Sequence, residues 1–232
     1  MKYILKILFV AFALHYSLRI QAQEVNALLS KVKEKLNKVN DYTATAILKT
    51  DVAFIKAPVS NIMVYYKKPD RFKMVKNGGI SILPKGGVNV NMYSIISTDK
   101  SRVLDAGETV INKIKTRVIK LLPTDENSNV VLSTLYINET TLLVQKAVIT
   151  TVDNGTYELT MSYGKYADYG LPDIVVFSFN AKDYKLPKGI TMEFNEKTNP
   201  AGSDDQKNKK GKVEITYSSY TINKGVSDEV FK

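Results

Sequence analysis

From Tyr42 onward the chain is patterned with a period of two. β-Branched and aromatic residues fill short runs, and turn residues break those runs about every ten positions. The runs predict strands at Thr43–Thr50, Asn61–Lys67, Arg71–Lys76, Gly79–Leu83, Val88–Ser97, Val130–Ile137, Leu143–Val152, Thr156–Tyr163, Ile174–Asn180, Ile190–Asn195 and Lys212–Asn223. Lys68-Pro69-Asp70, Asn77-Gly78-Gly79, Lys85-Gly86-Gly87, Asp153-Asn154-Gly155 and Leu186-Pro187-Lys188-Gly189 punctuate them. Strands so close together need hairpin connections, so the pattern describes an antiparallel meander. No strand–helix alternation suggests a parallel sheet.

One segment precedes the meander with a different period. In "EVNALLSKVKEKLNKVNDY" the apolar residues Val25, Leu28, Leu29, Val32, Leu36 and Val39 are spaced by threes and fours. That is one stripe of an amphipathic helix, which needs a sheet or groove to receive it. A second segment, Thr109–Leu122, fits either of two forms. Val110, Ile111, Ile114, Val118, Leu121 and Leu122 make a helical stripe, whereas the β-branched content favours two strands joined at Asn112-Lys113. Strands are preferred. Residues 195–212 are polar and apolar-poor and read as a long hairpin loop. With no repeat and no linker, residues 23–232 form a single domain.

Residues 1–22 have the layout of a secretory signal peptide. Lys2 and Lys6 precede the apolar run from Ile7 to Leu14, small residues follow, and cleavage is expected after Ala22. The run is shorter than the roughly 20 residues a membrane span requires. The chain has no cysteine, so no lipid anchor can attach there and no disulfide is available. An exported chain of this kind suggests a bacterial envelope protein, placed in the periplasm.

Without Lys2, Lys6 and Arg19, 30 basic residues face 23 acidic ones, a net charge of +7. Only Arg71, Arg102 and Arg117 among them are arginine, the residue suited to forked phosphate and base contacts. Nucleic acid is therefore not an expected partner. The lysines suit either attraction to an anionic lipid surface or a simply solvated face.

The chemistry available is narrow. The single histidine, His15, lies in the signal segment, and there is no tryptophan. A Ser-His-Asp triad, a cysteine nucleophile and the usual zinc sites are excluded. Two S-x-x-K strings, Ser30–Lys33 and Ser97–Lys100, lack the companion strings of the penicillin-binding enzymes. The pairs Asp125-Glu126, Asp204-Asp205 and Asp228-Glu229 fall in turns. No catalytic residue, metal or cofactor is expected. What remains is apolar surface on both faces of some strands. Ile62, Val64 and Tyr66 oppose Met63 and Tyr65, while Leu143, Gln145, Ala147 and Ile149 oppose Val144, Val148 and Val152. Closure around a packed core or enclosure of a lipid-sized cavity would each account for it.

Several stretches resemble the LolA-type lipoprotein carriers of the Gram-negative periplasm. "LLSKVKEKLNKV" runs directly into "NDYTATAIL", as that family's first helix runs into its first strand. "YYKKPDRFKM" is similar to the family's basic-basic-Pro-x-x-Phe element, "LYINETTLLVQKAVITT" to its late hairpin and "LPKGITMEF" to its Pro-x-Gly-Val close. The resemblance implies a mainly β (α+β) fold: an unclosed antiparallel β-barrel with the N-terminal helix and a helical lid over an apolar cavity. It implies a monomeric carrier of lipoprotein acyl chains or lipids, served by membrane-bound export or acceptor proteins. The cavity would be lined by Leu28, Val32, Leu36, Ile62, Val64, Tyr66, Phe72 and Met74, with Lys68 and Arg71 at the rim.

The chain departs from the family in places. Lys68 stands where the family has a latch arginine, Met74 where it has an aromatic, and Gly86-Gly87 where it has an Asp-Gly turn. Lysine offers one mobile ammonium in place of a fork. The stretch Lys212–Lys232 looks like an extra strand, similar to longer, often Bacteroidetes, lipoprotein-sorting proteins. A sensor or adaptor module on the same fold is the alternative reading.

Overall fold

A computed structural model describes residues 23–51, 59–76, 95–96, 101–153, 155–180 and 210–232. The helix α1 spans residues 23–37. Ten strands follow: β1 (Asp41–Asp51), β2 (Ser60–Lys67), β3 (Arg71–Lys76), β4 (Ser101–Ile111), β5 (Ile114–Pro123), β6 (Val130–Asn138), β7 (Leu143–Thr151), β8 (Gly155–Ser162), β9 (Ile174–Asn180) and β10 (Lys210–Ile222). Short 3₁₀ turns lie at Ala167–Tyr169 and Asp228–Phe231. The expected signal peptide, the strands at Gly79–Leu83 and Ile190–Asn195, and most of the 195–212 loop fall outside the described residues.

The strands form one antiparallel sheet in the order β3-β2-β1-β10-β9-β8-β7-β6-β5-β4. It is not closed; among the described residues β3 and β4 are its edges. Ten strands at roughly 4.8 Å spacing would spread flat over more than 40 Å, whereas a helix is only about 10–12 Å wide. Yet α1 and residues from β1, β2 and β5 to β10 share one apolar cluster, so the sheet must curl around the helix. α1 buries Val25, Leu28, Leu29 and Val32 in that cluster, with Leu36 packed against it. Its predicted stripe is its core face.

The ambiguous segment is two strands. β4 and β5 meet at Asn112-Lys113, where both residues have positive φ (48° and 66°), as a two-residue hairpin turn requires. β4 starts well before the predicted pattern. It is an edge strand, largely exposed, with a bulge between Asp105 and Glu108 at Gly107, whose φ is 84°. Exposure removes the alternation by which a strand is read.

Two expectations need correcting. The end of the predicted strand Val88–Ser97 is not extended: Ile95 is in a helical turn, and Ile95 and Ile96 are buried in the core. Val144 does not oppose Ala147 and Ile149. A register shift between Tyr136 and Ile137 pairs Val144 with Ile137 and turns it into the core. The outer face is then not a second apolar wall. Met63, Tyr65 and Val148 are half-buried there, and Val131 and Val152 are exposed. The strand expected at Lys212–Asn223 is β10, and it lies between β1 and β9, joining the first strand to the ninth.

Candidate functional site

The eight residues expected to line a cavity converge. Leu28 and Val32 of α1 and Ile62, Val64 and Tyr66 of β2 are buried in the common cluster, and Leu36, Phe72 and Met74 pack against it half-buried. The register explains the strand residues. Val64 pairs with Met74 and Tyr66 with Phe72, so alternate positions of β2 and β3 present one continuous wall. Beside α1 lies a recess with about 180 Å³ of empty space, its open mouth included, lined by Val32, Leu36, Ile96, Leu142, Val144 and Tyr163 among others. Most of that is open mouth: the enclosed part is about 10 Å³, room for about one water and far below the roughly 300–1,000 Å³ of ordinary ligand pockets.

Lys68 and Arg71 stand at one end of this wall, flanking a turn with a cis Lys68–Pro69 peptide. Lys68 Nζ donates to the carbonyl of Asn37 at 2.7 Å and to Asn40 Oδ1 at 3.3 Å. Asn37 ends α1, so the ammonium sits at the negative end of the helix dipole. Partial burial lowers the Lys68 pKa. Arg71 does something different. It shares one Asp228 oxygen with Lys67, at 2.7 and 2.6 Å, and ties the C-terminal 3₁₀ turn to the β2–β3 hairpin. The hydrogen bond from Lys67, helped by the charge of Arg71, holds the Asp228 carboxyl below its usual range. These partners are exposed, so the pair contributes little stability.

Two groupings escaped the sequence reading. The first surrounds Arg117 on β5. Asp105 (3.2 Å), Glu24 (3.6 Å), Glu108 (3.6 Å) and Glu139 (3.8 Å) face one largely buried guanidinium. It links the start of α1 to the β4 edge. Glu108 also pairs with Lys115 at 2.7 Å, which holds its carboxyl low. The second is a cluster of tyrosines on the concave face. β10 bulges between Tyr217 and Ser219, so Tyr217 and Tyr220, three residues apart, both point inward. Their rings stack at 4.9 Å, and Tyr42 contacts Tyr220 at 5.2 Å and Tyr66 at 5.3 Å. Tyr166 meets the Tyr220 ring edge-on at 4.9 Å. Apart from this group, Tyr157 of β8 lies against Phe177 at 5.3 Å, and burial pushes its phenol up to about 12. Sequence spacing gave no sign of either group, because each is assembled across distant strands.

The S-x-x-K string at Ser30 lies on α1 with Ser30 exposed, and Ser97–Lys100 is outside the described residues. Asp125 and Asp228 are in turns, their carboxylates taken by Asn127 N–H and by Lys67 and Arg71. No described helix is long and apolar enough to cross a membrane.

No protein-family model and no curated protein matches the chain. Solved structures do. A domain assigned as an outer membrane lipoprotein-sorting protein from Vibrio parahaemolyticus superposes with a TM-score of 0.61 at 11% identity, covering 91% of this chain and 97% of that one. A DUF1329 family protein from Desulfovibrio piger gives 0.56 at 13% identity, over 90% and 97%. A LolA superfamily protein from Nitrosomonas europaea gives 0.53 at 10% identity, again over 90% and 97%. At such identities the likeness is one of fold, and it does not bear on the Bacteroidetes affinity. The chain has the LolA-like fold, an open antiparallel barrel around a helix.

Proposed function

We propose that the protein is a periplasmic carrier or binding protein that buries acyl chains of lipoproteins or lipids for transfer toward the outer membrane. The observation that carries this reading is the apolar wall running from α1 across β2 and β3 inside an unclosed sheet. The fold shared with a lipoprotein-sorting domain supports it. Binding would be reversible and involve no covalent step. Each methylene buried as the wall opens to receive a chain would contribute about 0.8 kcal/mol. An acceptor protein would then have to compete for the same chains. Lys68 and Arg71 would form the rim, with Lys68 fixing the hairpin turn to the end of α1 in place of a forked arginine.

The reading is tested on protein purified from the bacterial envelope. Mass spectrometry of the co-purified material is expected to find lipids or lipoproteins, and added long-chain lipid should displace a fluorescent apolar probe. Protein that carries no lipid and exchanges no probe would sink the proposal.

A further inference from the structure

The turn Asp228–Phe231 is seated outside the barrel. Tyr66, Phe72 and Met74 belong to the concave wall, so the alternate residues Lys67, Arg71 and Lys73 face the convex side. These three cations reach the segment that follows β10. Lys67 and Arg71 share Asp228, at 2.6 and 2.7 Å, and Lys73 Nζ donates to the Lys232 carbonyl at 3.4 Å. The turn itself packs against β3. The start of the segment is moored at Asp41, the first residue of β1. Asn223 N–H donates to the Asp41 carbonyl at 2.9 Å, and Gly225 N–H to Asp41 Oδ1 at 2.9 Å. Val226 follows and is buried, yet it is not part of the common cluster. Residues 223–232 therefore run from β1 to the edge strand β3, passing outside β2.

Little else restrains β3. It is six residues long, it pairs with β2, and its other edge is unpaired among the described residues. Its concave residues Phe72 and Met74 are only half-buried. The two ends of the segment differ in kind. The mooring at Asp41 uses backbone N–H groups beside a buried valine. The clip at β3 is ionic and open to water, the Asp228 side chain keeping 58% of its surface. Exposed ion pairs are weak and are screened by salt, so the clip opens far more readily than the mooring.

We propose that residues 223–232 are a releasable brace. Clipped to Lys67, Arg71 and Lys73, the segment holds the β2–β3 hairpin against the body of the sheet. Unclipped, it lets the edge strand β3 swing away from α1. The consequence for cargo rests on the acyl-binding reading above. There the brace sets how fast a guest enters and leaves, and not how tightly it is held, because Asp228 acts on the face opposite the wall.

Hydrogen–deuterium exchange on the full exported chain tests the brace without any ligand. Asp228→Asn removes the charge that Lys67 and Arg71 share. Residues 71–76 are expected to exchange about 2–5-fold faster, with β6 to β8 unchanged. Glu229→Gln removes one charge from the neighbouring position and is expected to leave β3 at the wild-type rate. Adding Lys67→Gln to Asp228→Asn should change little further, as for partners in one contact. Salt at about 0.5 M should speed β3 exchange in the wild type and have little effect in Asp228→Asn. Exchange of β3 that Asp228→Asn leaves unchanged, or raises equally over every strand, overturns the brace. A fluorescent long-chain fatty acid gives the separate answer on cargo. It is expected to leave Asp228→Asn about 2–5-fold faster than wild type, at unchanged Kd. An unchanged off-rate beside faster β3 exchange overturns the gating role. Wild-type protein that binds no probe overturns the acyl reading, while faster β3 exchange in Asp228→Asn still supports the brace.

Discussion

Asn223 holds together the joint between helix and barrel. Its backbone has a φ of 56°, the left-handed region that asparagine tolerates better than most residues. Its Oδ1 accepts from Asn40 N–H at 2.7 Å, its Nδ2 donates to the Lys38 carbonyl at 2.7 Å, and its N–H donates to the Asp41 carbonyl at 2.9 Å. Lys68 reaches the same joint from the other side. Asn223→Ala loses its side-chain bonds to Asn40, Asp41 and Lys38 and keeps the unfavourable backbone. It should lower stability by about 1–2 kcal/mol, read as a shift of the urea midpoint with an unchanged slope. A midpoint equal to that of the wild type would show that the joint is held without it. In the sequence Asn223 reads only as the end of a strand, because its partners lie more than 180 positions away.

Among the elements, β10 combines the two irregularities that matter most. Near its centre the bulge at Ser218-Ser219 brings Tyr217 and Tyr220 to one face. At its start Gly211 pairs with Phe179, and a side chain there would meet the Phe179 ring at 2.4 Å. The aromatic ring lies over the glycine and fills the place of its missing side chain. Gly211→Val must push Phe179 out of the core and should cost about 1–3 kcal/mol, measured by thermal or urea unfolding. Unchanged stability would mean that the ring moves freely. Regular elements were legible from periodicity: β3 and β9 match their predicted limits, and the stripe of α1 is its buried face. Irregular ones were not. A bulge shifts the phase of alternation, so Val144 was assigned to the wrong face, and the exposed edge strand β4 had no apolar phase to detect. The wall from α1 through β3 was legible because each strand contributes it at regular alternate positions. The tyrosine cluster depends on a bulge and on pairing between the first and last strands.

For the whole molecule, those phenols are expected to set the alkaline limit of the fold. Burial raises Tyr42, Tyr163, Tyr217 and Tyr220 above the ordinary phenol value, and neighbouring phenols raise Tyr42 and Tyr220 further. For an acid whose folded pKa is raised, the unfolded chain loses its proton first. The contribution to stability is therefore complete below about pH 10 and is lost as pH climbs from there toward the folded values. Urea midpoints should fall above about pH 10, and the tyrosinate absorbance of these four should emerge together with the loss of circular dichroism. Full ionisation with the sheet intact would contradict their burial. The pairing of β1 with β10 has a mechanical meaning as well. Among the described residues the sheet's edges are β3 and β4, both internal to the sequence, while its first and last strands are laced together by an antiparallel ladder. The described sheet is thus tied at its termini and free at two internal edges. Separating the β3 and β4 edges would break no strand-to-strand hydrogen bond among the described residues, so an acyl guest of the proposed kind would enter without unzipping the ladder.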